Sequence, residues 1–315
     1  MEQKNIENIK DKLFSKDFKK FFRKKFAEDF SDLEKQRKRT IIIINTIITI
    51  TILFVVSLIL YTIFISVLDT IIHLCVFAVT IACIICNFFR SKYTKTAKNK
   101  ILPTLLSYIG NFKIYDTSKT SSEIEYYVSG LELFENFNRF HCDDRFVGTY
   151  NNVEVDVSEL SLKKVTHSGK RSSTKIIFNG LFIKLPSFKE YSGKTFIKRN
   201  GIFNAPSQTQ KVNLEDPEFE KLYDIFSTDQ IEARVLITPA FMDRLKKLST
   251  KYGTSIIVSF EKKNINIAIP SNKDWFEIPL KDSASKFENY RNILLELIEI
   301  LSVIDTLKLD QNIGM

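Results

Sequence analysis

Two long apolar segments constrain this chain more than any other feature of its sequence. Residues 41–65 and 71–89 are predominantly hydrophobic. Between residues 41 and 89, Asp69 is the one formally charged residue. A bilayer core needs about 20 apolar residues in a helix. The first segment is rich in β-branched residues, but in lipid an open strand would leave backbone groups unpaired, so the helix is required. We therefore predict a transmembrane hairpin over residues 41–89.

The charges around this hairpin predict its orientation. The connection over residues 66–70 is short, so the two helices must be antiparallel neighbours. Both outer flanks are rich in Lys and Arg, whereas the connection has neither. By the positive-inside rule, both termini are cytoplasmic and the connection faces out. We predict a cell-membrane protein with two spans, in which Asp69 is either an intramembrane functional acid or a solvated loop tip.

The N-terminal arm, residues 1–40, combines aromatic and basic residues at helical spacing. Phe18, Phe21, Phe22, Phe26 and Phe30 are predicted to fall on one broad face of roughly 180°. This amphipathic helix either docks on the anionic leaflet of the membrane or packs on the soluble domain. Acidic residues dilute the basic stretch, so nucleic-acid binding is not expected. The cations predicted to lie at the membrane surface are Lys19, Lys20, Arg23, Lys24, Lys25, Arg37, Lys38, Arg39, Arg90 and Lys92.

Ser31 and Glu34 have the spacing of a capping box, which predicts the start of the next helix. After the hairpin, residues 90–142 are interpreted as a helical connector. From residue 143 the apolar pattern changes to period two, which is typical of strands. Strands are predicted over residues 144–150, 153–165, 175–185 and 194–198, with a tight turn at Asn151-Asn152, a polar loop over 166–173, and a later hairpin of strands around 256–260 and 265–269.

Residues 230–237 also alternate and predict a strand. Gln230, Glu232 and Arg234 share one face of it. They are candidate binding residues, although a solvated or cross-strand ion pair explains the same pattern. A helix follows, with Thr238 as its N-cap, Pro239 as its first residue and Gly253 at its end.

The segment 281–315 contains a long amphipathic helix, predicted over residues 283–309. Its apolar side chains repeat with a period of 3.5 residues. This seam packs over the sheet or joins two copies of the chain in a homo-oligomer. Its residues are Phe287, Tyr290, Leu294, Leu297, Leu301 and Ile304.

Together these patterns predict an α+β protein: a transmembrane hairpin followed by a mainly antiparallel sheet domain, residues 143–280, with flanking helices. A pleckstrin-homology-like sandwich capped by the last helix is one arrangement that fits. The sequence predicts no catalytic residue, metal site or cofactor. Cys83-x-x-Cys86 lies in an apolar helix, where cysteine is usually a small hydrophobe, and the chain has no nucleophile elbow, H-E-x-x-H or glycine-rich nucleotide loop.

Three stretches resemble a known family. They are Phe178–Ile183, Asn213–Phe219 and Asp229–Met242, the last being the most specific. They resemble the bacterial family called domain of unknown function 3137, over roughly residues 15–280. The family often has an aromatic residue where this chain has Val235. The resemblance implies a membrane hairpin before a soluble domain, and it implies no established activity.

Three functions remain open at this point. The first is a membrane-tethered cytoplasmic module that binds an unknown protein partner or acts as a scaffold. The second is an enzyme at the membrane surface that uses acids such as Asp143, Asp144, Asp229 or Glu232. The third is a small pore or transporter subunit built from the two spans. The hairpin, the basic flanks and the lack of a catalytic motif favour the first.

Overall fold

The computed structural model describes residue 11 and residues 13–64, 68–106, 111–115, 117–169, 171–201 and 205–307. These residues form two compact units. The helical unit comprises the described residues up to 104 together with 277–293, and the sheet unit comprises residues 105–276 and those from 294 onward. Each unit is described separately.

Three helices begin the helical unit: α1 (Lys16–Lys25), α2 (Ala27–Phe64) and α3 (Leu68–Leu106). The apolar windows of α2 and α3 are 0% and 6% buried, and both helices are long and apolar enough to cross a membrane. The two predicted apolar helices are therefore confirmed. Residues 65–67 and the side chain of Asp69 lie outside the described part of the chain, so the role of Asp69 stays a prediction.

The start of α2 differs from the prediction. The capping box at Ser31 and Glu34 is wrong, because α2 begins at Ala27 and passes through both residues without a break. The Glu34 carboxylate instead bonds to Arg37 and to Ala284. With these partners, the Glu34 carboxylate is not available to accept the backbone N–H of Ser31, as a capping box requires.

Four of the five phenylalanines of the arm's predicted face are buried in the helical unit, whereas Phe21 is 36% exposed. The buried ones pack on the first turns of α8 (Phe287–Leu307). The ring centroids of Phe22 and Phe287 are 5.0 Å apart, and those of Phe30 and Tyr290 are 5.7 Å apart. Phe22 is 0% exposed. The buried phenylalanines therefore pack on α8, while docking of the arm on the anionic leaflet stays a prediction.

The strands of the sheet unit form one antiparallel sheet, with the order β1-β2-β3-β4-β9-β8-β5-β7-β6. The α+β class is confirmed. The pleckstrin-homology-like sandwich is wrong, because the described strands pair into one open sheet. Their bounds are β1 Lys113–Ile114, β2 Arg139–Tyr150, β3 Val153–Ser168, β4 Arg171–Pro186, β5 Lys194–Arg199, β6 Gln210–Lys211, β7 Tyr223–Ser227, β8 Ile257–Glu261 and β9 Asn264–Pro270.

The turn at Asn151-Asn152 is confirmed: the two residues have φ angles of 48° and 63°. Positive φ at both central positions is what a two-residue hairpin turn requires. The polar loop over 166–173 is wrong, because β3 and β4 continue pairing as far as Ser168 and Arg171. Both faces of this ribbon are exposed, so polar residues there are compatible with strands. Lys170 lies outside the described residues.

Within the described residues, four helices lie wholly in the sheet unit: α4 (Thr117–Gly130), α5 (Pro217–Leu222), α6 (Gln230–Leu236) and α7 (Pro239–Tyr252). The caps of α7 are confirmed, since Thr238 accepts a hydrogen bond from the Phe241 N–H and Gly253 has a φ of +65°. The predicted strand at 230–237 is wrong, because α6 occupies it. The Asp229 side chain accepts the N–H groups of Ile231 and Glu232 and so starts a helix.

The long helix at the end of the described chain is confirmed as α8. All six seam side chains are buried within a single chain. A homo-oligomer through this seam stays a prediction. Its formation would require the buried seam side chains to leave their contacts within the chain. The boundary drawn at residue 143 also stays a prediction, although β1 and the beginning of β2 precede it and belong to the sheet.

Candidate functional site

The three predicted binding residues do not share a face. In α6, Glu232 is 7% exposed and points into the protein. Its two carboxylate oxygens accept the backbone N–H groups of Ser192 and Gly193, at 3.1 and 2.9 Å. The ammonium group of Lys189 lies 3.8 Å away. Glu232 therefore fixes the loop that follows β4, and its side chain is not presented to a partner.

The outward side of α6 carries a different set of residues. Ile231 and Val235, one helical turn apart, are 78% and 43% exposed. Arg234 is exposed beside them, and its guanidinium donates to the Gln230 carbonyl at 3.2 Å. Ile231, Arg234 and Val235 are called the α6 face. The alternating pattern hid it, because a strand would have turned Ile231 and Val235 inward.

A cavity of about 650 Å³ lies elsewhere in the sheet unit. Lys198, 3% exposed, lies in its wall and donates to the Glu132 carbonyl at 2.9 Å. Burial disfavours the ammonium charge and lowers the pKa of Lys198 to about 8. Lys175 and Glu135 pair across 2.6 Å at the same cavity. Charges of both signs line this cavity, and no local sequence pattern indicated it.

Three carboxyl groups of the sheet unit lie close together. Oxygens of Asp143, Glu159 and Asp274 are all within 4.8 Å of one another. Glu159 accepts the backbone N–H of Trp275 at 3.2 Å. Burial raises the pKa of Glu159 to about 8, and the neighbouring acids add to the effect. All-oxygen ligands suit hard cations, but exposed acids commonly cluster without binding one.

The acids named for an enzyme do not converge. Asp143 belongs to the cluster with Glu159, whereas Asp229 caps α6 and Glu232 holds a loop. General acid–base catalysis needs its groups within hydrogen-bond reach of one reacting atom.

A hydrogen-bonded network joins α2 to the segment 277–284 within the helical unit. Glu34 pairs with the Arg37 guanidinium at 2.6 Å and accepts the Ala284 N–H at 2.9 Å. Arg37 in turn donates to the Leu280 carbonyl at 3.3 Å. The Arg37 pair and the Ala284 N–H lower the pKa of Glu34 to about 2. The network fixes this segment against α2.

The segment is also tied to α3. Lys98 is 4% exposed and pairs with Glu277 at 3.2 Å. Residues of α2, α3 and this segment line a cavity of about 730 Å³, called the boundary cavity. Its walls include Ile41, Ile44 and Asn45 of α2, Asn87 and Arg90 of α3, and Lys281.

The ten predicted surface cations divide into two groups. Lys19 is half-buried and lies 3.7 Å from Glu288, and the side chain of Arg37 is 14% exposed within the network just described. The other eight are exposed: Lys20, Arg23, Lys24, Lys25, Lys38, Arg39, Arg90 and Lys92. Their contact with a membrane stays a prediction.

Residues 176–309 match the family described as "Protein of unknown function (DUF3137)". This confirms the resemblance over that segment and extends it through α8, while residues before 176 lie outside the match. No curated protein matches the chain.

One solved structure is similar, the crystal structure of the mycobacterial trehalose monomycolate transport factor A, TtfA. The identity is 11%, the similarity covers 53% of this chain and 75% of that one, and the TM-score is 0.30. A similarity at this level carries no functional argument.

Proposed function

We propose that this chain, which carries a matched domain of unknown function over residues 176–309, is a membrane-tethered protein-binding module. Its two long apolar helices cross the membrane as a hairpin, and both termini lie in the cytoplasm. The hairpin sets the location of the sheet unit, and the α6 face of that unit contacts the partner.

Exposure of the apolar helices supports the tether. The most hydrophobic windows of α2 and α3 have almost no protein cover. In water, leaving so much apolar surface exposed is unfavourable by about 25 cal/mol per Å². The basic residues at both outer ends of the hairpin support cytoplasmic termini.

The α6 face is the observation that carries the binding proposal. Ile231 and Val235 lie side by side in solvent on a helix whose opposite side is fixed by the buried Glu232. Scattered exposed hydrophobic residues are common, but two on one rigid helical turn beside an arginine make a compact patch. Arginine is enriched in protein interfaces, and the two apolar side chains beside it form a surface that a partner can bury. The expected partner surface is apolar with an acidic rim.

In-cell photo-crosslinking tests this proposal. A photoreactive residue replaces Arg234 in the full chain, and a matched chain carries it at Lys247, an exposed position on α7. We expect a recurring protein adduct from position 234 that is absent from position 247 and lost when Ile231→Asp is added. Equal adducts from both positions, or none from 234, would contradict a partner at the α6 face.

A further inference from the structure

We propose that the boundary cavity holds one anionic phospholipid, with its phosphate between Arg90 and Lys281 and the upper part of an acyl chain against Ile41 and Ile44. This inference rests on membrane insertion of the hairpin, which is part of the proposed function, and it is independent of any protein partner.

The position of the cavity in the sequence fits a headgroup site. Ile41 is the first residue of one apolar segment, and Arg90 directly follows the end of the other. Both residues line the cavity. In an inserted hairpin they mark the level at which the hydrocarbon core gives way to headgroups. The cavity therefore lies at the level where the acyl chains of a phospholipid meet its headgroup.

The chemistry of the walls is divided in the same way. Arg90 and Lys281 supply two exposed cations, and within the described residues neither side chain forms a hydrogen bond or ion pair with another. Asn45 and Asn87 are the amides of this wall, and they can donate to phosphate or ester oxygens. Ile41 and Ile44 supply an apolar surface. Basic sites between membrane helices are known to bind anionic headgroups.

One wall of the cavity is held in place by contacts within the protein. Lys281 is carried by the segment that Arg37 and Glu34 attach to α2 and that Lys98 attaches to α3. This places the Lys281 backbone before any ligand arrives, which reduces the ordering cost of binding. A volume of about 730 Å³ lies within the range of small-molecule sites.

Other exposed cations of the helical unit supply a matched control. Lys38 and Lys92 are exposed on the same two helices, close in sequence to the cavity residues, yet neither lines it. Each attracts anionic lipid only through its charge, whereas Arg90 and Lys281 line one cavity. Replacing either pair by glutamine removes the same net charge.

The test is native mass spectrometry of the full chain in detergent, titrated with phosphatidylglycerol or phosphatidylcholine. We expect one retained phosphatidylglycerol with at least a tenfold preference over phosphatidylcholine. Arg90→Gln with Lys281→Gln should weaken it by roughly 30-fold, as about 1 kcal/mol per cation predicts. Lys38→Gln with Lys92→Gln should change it by less than threefold, and the charge-preserving pair Arg90→Lys with Lys281→Arg should retain it.

Three outcomes would overturn the proposal. One is equal binding of the two lipids by the unaltered chain. Another is an equal loss in the two glutamine pairs, which would indicate diffuse attraction. The third is displacement of the lipid by an equal concentration of glycerol 3-phosphate, which would identify a free-phosphate site. Lipid retention does not depend on the crosslinking result, so failure here leaves the proposed partner at the α6 face untouched.

Discussion

The Glu34 carboxylate accepts the backbone N–H of Ala284 at 2.9 Å, across 250 positions of the sequence. The same carboxylate holds Arg37, which bonds to the Leu280 carbonyl. The ion pair on α2 therefore helps to fix the segment that forms one wall of the boundary cavity, together with the Lys98–Glu277 pair from α3. This arrangement makes the segment sensitive to the protonation of one acid.

The first prediction concerns that acid. The pKa of Glu34 is lowered from 4.5 to about 2, so its contribution to stability is present above pH 4.5 and is lost as the pH falls towards 2. Glu34→Gln should abolish this dependence and raise the hydrogen exchange of the Ala284 amide at pH 7, measured by mass spectrometry. Glu28→Gln, at an exposed position of α2, is the control. An unchanged pH profile in Glu34→Gln would contradict the assignment.

The second prediction concerns the loop after β4. Glu232→Ala removes a buried acceptor of two backbone N–H groups and should lower the free energy of unfolding by about 2–3 kcal/mol. Hydrogen exchange at Ser192 and Gly193 should rise with it. Glu190→Ala is the control, since the Glu190 side chain is 69% exposed in the same loop. Comparable effects of the two substitutions would contradict the structural role of Glu232.

The third prediction tests the packing of the arm. Phe22 is fully buried and contacts Phe287 and Tyr290. Phe22→Ala should lower the free energy of unfolding by about 3–5 kcal/mol, because it leaves a cavity. Chemical denaturation in detergent measures the change. Phe21→Ala, at the 36% exposed neighbouring position, should cost much less. If Phe21→Ala were the more damaging of the two, the arm would face the other way.

The fourth prediction concerns Glu159. Its pKa in the folded protein is raised from the ordinary 4.5 to about 8. The folded state is therefore progressively destabilised by this group as the pH rises from 4.5 through 8. Glu159→Gln should remove that loss. The stability of the variant relative to the unaltered chain, measured by thermal unfolding, should therefore be greater at pH 9 than at pH 5. Glu154→Gln, at an exposed position of β3, serves as control. A profile in which the unaltered chain gains stability between pH 5 and 9 through this site would contradict the raised pKa.

Sequence reasoning succeeded where the physical cause is local. The hairpin helices follow from the apolar segments, because lipid permits few other structures. The turn at Asn151-Asn152 and the caps of α7 follow from residues that tolerate positive φ or accept backbone N–H groups.

Sequence reasoning failed where one short pattern fits two structures. The alternation over residues 230–237 fits a strand, but the Asp229 cap and a helical period place Glu232 inside and Ile231 outside. Sequence patterns also did not predict contacts between distant segments. No local pattern joins Glu34 to Ala284, or brings Asn45, Arg90 and Lys281 to one cavity. Such sites depend on how distant segments pack, which periodicity does not encode.

The central claim is that a membrane hairpin holds the sheet unit in the cytoplasm, and paired reporters test it most directly. Green fluorescent protein, which fluoresces when folded in the cytoplasm, and alkaline phosphatase, which is active outside it, are fused in turn after Met315 and inserted at Asp69. We predict fluorescence without phosphatase activity at Met315, and phosphatase activity without fluorescence at Asp69. Phosphatase activity at Met315, or fluorescence at both positions, would contradict the tether.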